Sequence, residues 1–444
     1  MKKKFLMIGI AVVAIFMASM FFVFGGSPKE KEVGVGALDP PGPGYVEPGE
    51  NIIIGGTFTL TGPVSHAGRM TLEGAERAVQ YVNEELGGIL GHKVELKYYD
   101  DEFEEAKITM LYEKLITRDK VDLLISPYTS PFLAACPVVA KHEMLLFCNA
   151  ADSYVGNDQY GQTVVNVQMD DRWRGGMWWH DIAEFFGDFD KWNYKNLPKP
   201  KTIAVLNLNI SYGHEVRDSI IPYWEEHGYE IVYHEFFEPG VGDWTPVVAR
   251  LKELKPDIVF QPHYFEDCIT FVQKCKELNY SAPYMIIEGM GWDPLSWTHS
   301  DMGGLPPSVA KRGFYGYSVY KRKYESESKT YLEKYTYEKY GHFPGNDHIC
   351  GFMPIELMAK VANKAGSLNR EDMIQVMMNN TFNLAGYPYR MNKTGGNAAE
   401  FHWGVGQYIP KDINNADAGP DDWYCVWPPE YKERDPFYPF PGWK

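Results

Sequence analysis

The sequence predicts an α/β protein of two doubly wound, parallel-sheet lobes joined by three crossings, carried behind one N-terminal membrane helix. Three observations lead there. Short β-branched runs alternate with helix-spaced apolar stretches, the pattern of a parallel sheet covered on both faces. That rhythm runs once from Asn51 to Phe147, breaks, and starts again at Thr202. Ahead of both, Phe5 to Phe24 carries no charged residue.

The N-terminal run follows Lys2, Lys3 and Lys4. A spanning helix needs about 20 apolar residues, whereas the core of a cleaved signal is ~7–15. The run therefore reads as an anchor over 1–24, with a signal peptide cut near Gly25–Gly26 or Ala18–Ser19 as the alternative. The basic flank keeps the N-terminus inside and exports the rest. No cysteine follows for a lipid, and residues 25–50, rich in Pro and Gly, read as a linker.

In the first rhythm Ile52–Ile54 is a strand, and Arg69–Leu86 places Leu72, Ala75, Val79, Val82 and Leu86 on one helical face before Gly87-Gly88 stops it. Val94–Tyr98 alternates as a strand. Glu104–Thr117 is helical, Val121–Ile125 a strand, Pro131–His142 helical and Met144–Phe147 a strand. In the second, strands at Thr202–Asn207, Glu230–Phe236, Asp257–Gln261 and Tyr284–Glu288 alternate with helices at Gly213–His227, Trp244–Leu254 and Asp267–Leu278. A helical block (Tyr331–Tyr340, Asn346–Ala365, Arg370–Asn379) returns to the first lobe. The break in rhythm puts the crossings near Val167–Asp171, Gly316–Tyr320 and Leu384–Tyr389. The expected division is 51–168 with 318–386 as lobe 1, 169–317 with 387–418 as lobe 2, and 419–444 as a tail over the surface.

Composition excludes several functions. With 43 basic against 59 acidic residues the formal charge is −16 over 444 residues. Setting the three N-terminal lysines aside makes the exported body more acidic still. Such a body does not suit nucleic acid, which needs clustered Lys and Arg. Its 45% hydrophobic content suits a folded core. The six cysteines form no Cys-x-x-Cys motif; Cys136 with Cys148 and Cys350 with Cys425 are conceivable disulfides, the other reading being small buried hydrophobes. Asn209, Asn279, Asn379 and Asn392 open glycosylation-type triplets.

Parallel sheets bind ligands beyond the carboxyl ends of their strands. The loops there supply Thr59–Ser65, Ser126–Pro131 and Asn149–Ser153 in the first lobe, and Ser211–Gly213, His263–Tyr264 and Glu288–Gly289 in the second. Many of these Ser and Thr residues are equally explained as caps and turns. In the second loop, Ser130 as N-cap with Pro131 in the first turn would open a helix whose free N–H groups receive a carboxylate, with Thr129 and Ser130 adding hydroxyls. Glu288 ends an apolar strand, where an acid is costly unless paired. A ligand ammonium would pair it; a surface loop acid is the bland reading. Donors on one side and an acid on the other fit an α-amino acid held head first.

At this point the chain resembles a known family: the type I substrate-binding proteins of ABC transporters, in the branch that binds leucine, isoleucine and valine, with its relatives for amides and urea. The resemblance runs from Ile52 to Gln407. It is carried by Leu60-Thr61-Gly62-Pro63, by Gly74-Ala75 ahead of Val82-Asn83, and by Gly87-Gly88-Ile89 before Val94-Glu95-Leu96. Tyr99-Asp100-Asp101, Tyr212-Gly213, Asp243-Trp244 before Leu251-Lys252, Pro256-Asp257-Ile258-Val259 and Glu288-Gly289 complete it. The resemblance implies two lobes closing on ligand through three hinge crossings, at the extracellular or periplasmic face of the membrane, with permease subunits as partners and no cofactor, metal or catalytic residue. It also implies ligand contacts at Thr129 or Ser130 for the carboxylate, Ala150 and Ala151 through their backbone, Tyr212 and Tyr264 as aromatics, and Glu288 for the ammonium. Two positions depart from the pattern. Asp152 stands where the branched-chain binders have a hydroxyl residue, as a second acid for the ammonium or a reader of a more polar or basic ligand. Ala67 stands where they place an aromatic, leaving Tyr128 and Trp292 to restore an apolar wall.

Enzyme readings find less support. There is no Gly-x-Ser-x-Gly, His-Glu-x-x-His or Walker A motif. His214 and His263 lack a clear third metal partner, and the adjacent acids Asp100-Asp101 and Asp170-Asp171 point to opposite faces if they lie on strands. The expected function is an extracellular solute receptor for an amino acid, branched-chain or related, with a short amide, urea or other small polar solute as the alternative and a secreted hydrolase behind both.

Overall fold

Ile52–Phe58 (β1) and Val94–Asp100 (β2) pair in parallel over their whole length, and Leu123–Ser126 (β3), Leu146–Cys148 (β4) and Val164–Asn166 (β5) extend the same sheet in the order β2-β1-β3-β4-β5. The structure is a computed structural model, and it describes residues 49–62, 64–151, 154–169, 177–191, 198–288, 313–317, 320–399, 401–409, 423–436, 438–440 and 442–443. The expected membrane segment and linker lie outside these residues. No described helix is long and apolar enough to cross a membrane.

The second sheet runs β14-β13-β10-β9-β8-β6-β7. Its parallel part is Glu230–Phe237 (β7), Thr202–Leu208 (β6), Ile258–Gln261 (β8), Tyr284–Ile287 (β9) and Tyr315–Tyr317 (β10). Val405–Tyr408 (β13) and Trp423–Trp427 (β14) are added antiparallel. This corrects the expected surface tail: residues 423–427 are an edge strand of the sheet, and Phe440 and Trp443 pack into the apolar layer beneath it.

Helices cover both sheets. Ser65–Glu85 (α1), Glu105–Thr117 (α2), Thr129–Lys141 (α3) and Tyr154–Tyr160 (α4) follow the first four strands. Met177–Gly187 (α5), Ser211–Glu226 (α6), Thr245–Leu254 (α7) and Phe265–Glu277 (α8) serve the second sheet. After β10 the chain forms Glu327–Tyr340 (α9), Asn346–Ala365 (α10) and Arg370–Asn379 (α11), then a two-stranded ribbon, Phe382–Asn383 (β11) with Pro388–Tyr389 (β12), before entering β13.

The return of α10 to the first lobe depends on two glycines. A Cβ on Gly74 of α1 would lie 2.1 Å from the His348 carbonyl oxygen, and one on Gly351 of α10 would lie 1.9 Å from that of Thr71. The two helices meet backbone to backbone, with no room for a methyl group. At the same contact Glu73 accepts from the Tyr335 hydroxyl at 2.7 Å and from Tyr340, with His348 at 3.5 Å. Burial opposes ionisation of Glu73, yet His348, Tyr340 and Lys339 hold its carboxyl well below the usual range.

All six cysteines are free and buried, so neither conceivable disulfide forms. Cys136 and Cys148 sit in one apolar layer, and burial pushes the thiols of Cys136 and Cys425 up to about 12. Asn392 is a turn residue: its buried side-chain oxygen accepts from the N–H groups of Thr394 (2.9 Å) and Gly396 (2.7 Å).

Candidate functional site

Helix α3 begins two residues earlier than the sequence suggests. Tyr128, extended at φ −140°, is the N-cap, so Ser130 lies within the first turn rather than capping it. The first intrahelical bond runs from Phe132 N–H to the Tyr128 carbonyl at 2.9 Å. Pro131 has no N–H, which leaves the amides of Thr129 and Ser130 ahead of the ladder. The Thr129 hydroxyl leans on the Ala150 carbonyl at 3.4 Å. Here the positive end of α3 meets the end of β4.

The second lobe brings its own strand ends to the same place. Tyr212 lies in the first turn of α6, Tyr264 is the N-cap of α8, and Glu288 follows β9. The Tyr212 hydroxyl donates to the Glu288 carboxylate, which is 0% exposed. The Tyr264 ring lies 6.1 Å from that of Tyr212 and reaches across to the first lobe, 6.2 Å from Tyr128 and 5.9 Å from Phe103. At the rim, the His66 ring lies tilted against that of Phe265, 4.4 Å away, and the His66 backbone N–H donates to the Glu266 carboxylate at 3.2 Å. Burial pushes the Glu266 carboxyl up. The two lobes are therefore in contact, closed over a cavity.

That cavity is small in this closed arrangement, about 20 Å³, and only partly enclosed. Tyr128, Thr129 and Ala150 line it from the first lobe, and Tyr212 and Tyr264 from the second. Ala151 and Ser130 are buried beside it without lining it; the Ala151 carbonyl is taken by Asn166 at 2.8 Å. Ala67 packs in the core of the first lobe and builds no wall. Asp152 and Trp292 lie outside the described residues.

Five lining residues escaped the reading of the sequence: Gln168, Tyr317, Asn346, Asp347 and Trp403. Asn346 and Asp347 open α10, and Asn346 donates to the Tyr317 hydroxyl at 2.9 Å. The rings of Tyr317 and Trp403 lie 5.1 Å apart. Trp403 is 1% exposed, and its indole N–H makes no hydrogen bond among the described residues. Burial, aided by the charge of Asp347, raises the Tyr128 hydroxyl well above its ordinary value. Pro344-Gly345 followed by two polar residues marks a helix start in the sequence, but nothing there says that the start faces a cleft.

Other chemistry-bearing residues have structural work. Asp100 accepts from Leu60 N–H (2.9 Å) and Thr61 (2.7 Å), while Asp101 accepts from Thr59 (2.7 Å) and Phe103 N–H (3.0 Å). The pair ties down the loop after β1 and makes no catalytic dyad. His214 stacks on Phe236, and His263, fully buried, faces Asp267 at 3.3 Å. Among the described residues one group has metal-ligand character: His180, Asp181 and Glu184. The two His180 nitrogens face different carboxylates, at 3.9 Å (Asp181) and 3.6 Å (Glu184). Asp181 is itself held by His402 at 3.0 Å and Gly404 N–H at 2.7 Å. The arrangement is that of an imidazole between two acids.

Comparison with known proteins agrees with this architecture. A family profile described as "Periplasmic binding protein" matches residues 51–407. A Leu/Ile/Val-binding protein of Rhizobium johnstonii is 27% identical over 246 residues, 54% of this chain and 62% of that protein. A Leu/Ile/Val-binding protein homologue of Brucella melitensis is 28% identical over 211 residues, 47% of this chain and 54% of its own. The chain thus spans roughly six-tenths or less of these two relatives. Among solved structures, the leucine-binding protein of Thermotoga maritima superimposes with a TM-score of 0.65 at 20% identity, covering 80% of this chain and 94% of that one. A Rhodopseudomonas palustris solute-binding protein in complex with benzoate gives 0.65 at 15%, covering 81% and 94%. On the extent of the profile match and the two-lobed fold, the chain belongs to the periplasmic binding protein family, type I, whose members are extracytoplasmic, non-enzymatic components of transport.

Proposed function

We propose that the chain is the solute-binding component of an ABC transporter, capturing an amino acid between its lobes and delivering it to permease subunits. The observation that carries this reading is the meeting of the start of α3 with Tyr212 and Tyr264 at one cavity, with the fully buried Glu288 carboxylate not lining it but held behind it on the Tyr212 hydroxyl. The ligand carboxylate would lie on the amides of Thr129 and Ser130, where the helix dipole favours an anion. Its ammonium would lie on Glu288, with Tyr212 and Tyr264 closing over the body of the ligand. In this reading the lobes are 51–168 with 318–386, and 169–317 with 387 onward, β14 included. They hinge at the three crossings, and ligand favours the closed state because only closure completes both sets of contacts. The uncharged run Phe5–Phe24 would hold the body at the outer face of the membrane.

The names of relatives that bind leucine, isoleucine and valine support an amino acid. The benzoate complex of a structural neighbour, set beside the ring-lined cavity here, favours an aromatic acid as the second reading. A thermal-shift panel of the common amino acids, short amides, urea and benzoate separates them. A ligand at 100 times its Kd stabilises the folded state by about 2.7 kcal/mol. An upward shift with amino acids is expected; no shift with any of them refutes the proposal.

A further inference from the structure

We infer that the amino acid bound here has a hydroxyl or carboxamide side chain, and that Trp403 and Tyr128 select it. The inference rests on the amino-acid reading of the site and narrows it.

Trp403 stands two residues ahead of β13, beside the second sheet, and Tyr128 opens α3, beside the first. Both line the cavity. Both are buried, at 1% and 2% exposure. Each carries a polar atom with no hydrogen bond of good geometry among the described residues: the indole N–H of Trp403 and the hydroxyl of Tyr128. Thr71 is a polar neighbour of that hydroxyl, but it gives its own hydrogen to the Ala67 carbonyl at 2.9 Å. The Tyr128 oxygen therefore receives no hydrogen from it. Trp403 is held in place by its surroundings. Its ring lies 5.1 Å from that of Tyr317 and 6.0 Å from that of Tyr387, and Asp181 accepts from the next N–H along the chain, that of Gly404, at 2.7 Å. Turning the indole to find a partner elsewhere would break these contacts.

The two groups ask for complementary chemistry. An indole N–H only donates, whereas a phenol oxygen also accepts. A methyl-ended side chain offers neither group a partner, an ammonium offers hydrogens alone, and a carboxylate offers lone pairs alone. A hydroxyl or a carboxamide offers both. Water can serve the two groups while the site is empty. An aliphatic side chain that displaces it leaves both unmatched, and a hydroxyl or carboxamide replaces its bonds. A site built around such a hydrogen bond rejects the analogue that lacks it more strongly than an apolar pocket rejects a change of size.

The test compares pairs of nearly equal shape by calorimetry on the full chain: L-threonine with L-valine and L-asparagine with L-leucine, with benzoate alongside. At least one polar member is expected to bind about tenfold or more tightly than its apolar partner. Trp403→Phe keeps a ring and removes the N–H. It is expected to bring that preference to within about threefold while valine and leucine affinities hold. Tyr128→Phe, which leaves the ring packing intact, is expected to lessen the preference too, and decides the matter if Trp403→Phe does not fold. Valine and leucine each binding as tightly as the polar partner in the unmodified protein overturns the inference and leaves the amino-acid reading in place. A preference that survives undiminished in the folded variants overturns it as well. Binding of benzoate with no amino acid bound removes the amino-acid reading, and the inference with it.

Discussion

Glu288→Gln separates a ligand-binding acid from a structural one. The substitution preserves shape and leaves a side-chain oxygen to accept from Tyr212, so the local hydrogen bond survives. What it removes is the negative charge in a site with no exposure to water. Removing one partner of a buried, hydrogen-bonded charge pair costs 2–5 kcal/mol or more, much of it from leaving the other charge unmatched. An isosteric amide still offers a dipole, so about 2–4 kcal/mol is the expected loss, roughly 30- to 1,000-fold in Kd. The assay is calorimetric titration with whichever amino acid gives the largest thermal shift. Unliganded stability should hold or rise, because a buried carboxylate is itself costly. A Kd within about threefold of the unmodified protein, with the variant folded, would refute the argument that Glu288 faces the ammonium.

Three further predictions follow from other parts of the molecule. Glu266→Ala removes the acceptor of the His66 N–H across the closed rim. Affinity for every ligand should fall about fivefold, the worth of one hydrogen bond, without a change in selectivity, and small-angle scattering should show a more open unliganded protein; unchanged affinity and scattering would count against the rim contact. Lys321 is buried beside the Tyr431 ring, and burial lowers its ammonium from 10.5 to about 8. With the folded-state value below the unfolded one, the penalty is fully present below about pH 8 and fades as pH rises toward 10.5. Lys321→Met should therefore stabilise the protein by about 2–3 kcal/mol at pH 7 and progressively less above pH 8, measured by urea denaturation at several pH values. Gly74→Ala should destabilise by about 3 kcal/mol, because its methyl would meet the His348 backbone at 2.1 Å and force α1 away from α10.

Elements with a clean local period were legible in the sequence. Leu72, Ala75 and Val82 lie on the buried face of α1, and β6, β7, β8 and β9 fall within a few residues of their apolar runs. Among the strands that went unread are β10, β13 and β14. Their sequences, Tyr315-Gly316-Tyr317, Val405-Gly406-Gln407-Tyr408 and the Trp-rich 423–427, show no alternation of apolar and polar residues, because every position except Tyr424 is buried. Two of them, β13 and β14, are held by antiparallel pairing that no local pattern announces. The site divides the same way. The rule that ligands gather at strand ends leads to Thr129, Ala150, Tyr212 and Tyr264, which line the cavity. It misses Gln168, Tyr317, Asp347 and Trp403, which enter where the chain passes between lobes and where a helix returns from one to the other.

The placement of β14 and α10 also bears on how this chain can fold. The first lobe is not closed until residues 346–365 arrive to lie on α1, and the second sheet is one strand short until residue 427 pairs with β13. Neither lobe can be finished from a continuous stretch of chain, so both depend on contacts between residues hundreds of positions apart. Such long-range closure is slow and leaves apolar faces uncovered in the interval. Until then β13 would be an open strand edge, the kind of surface that recruits a neighbouring chain. Cutting the chain before Trp423 should therefore do more than shorten it: it would fix the molecule at its most adhesive stage.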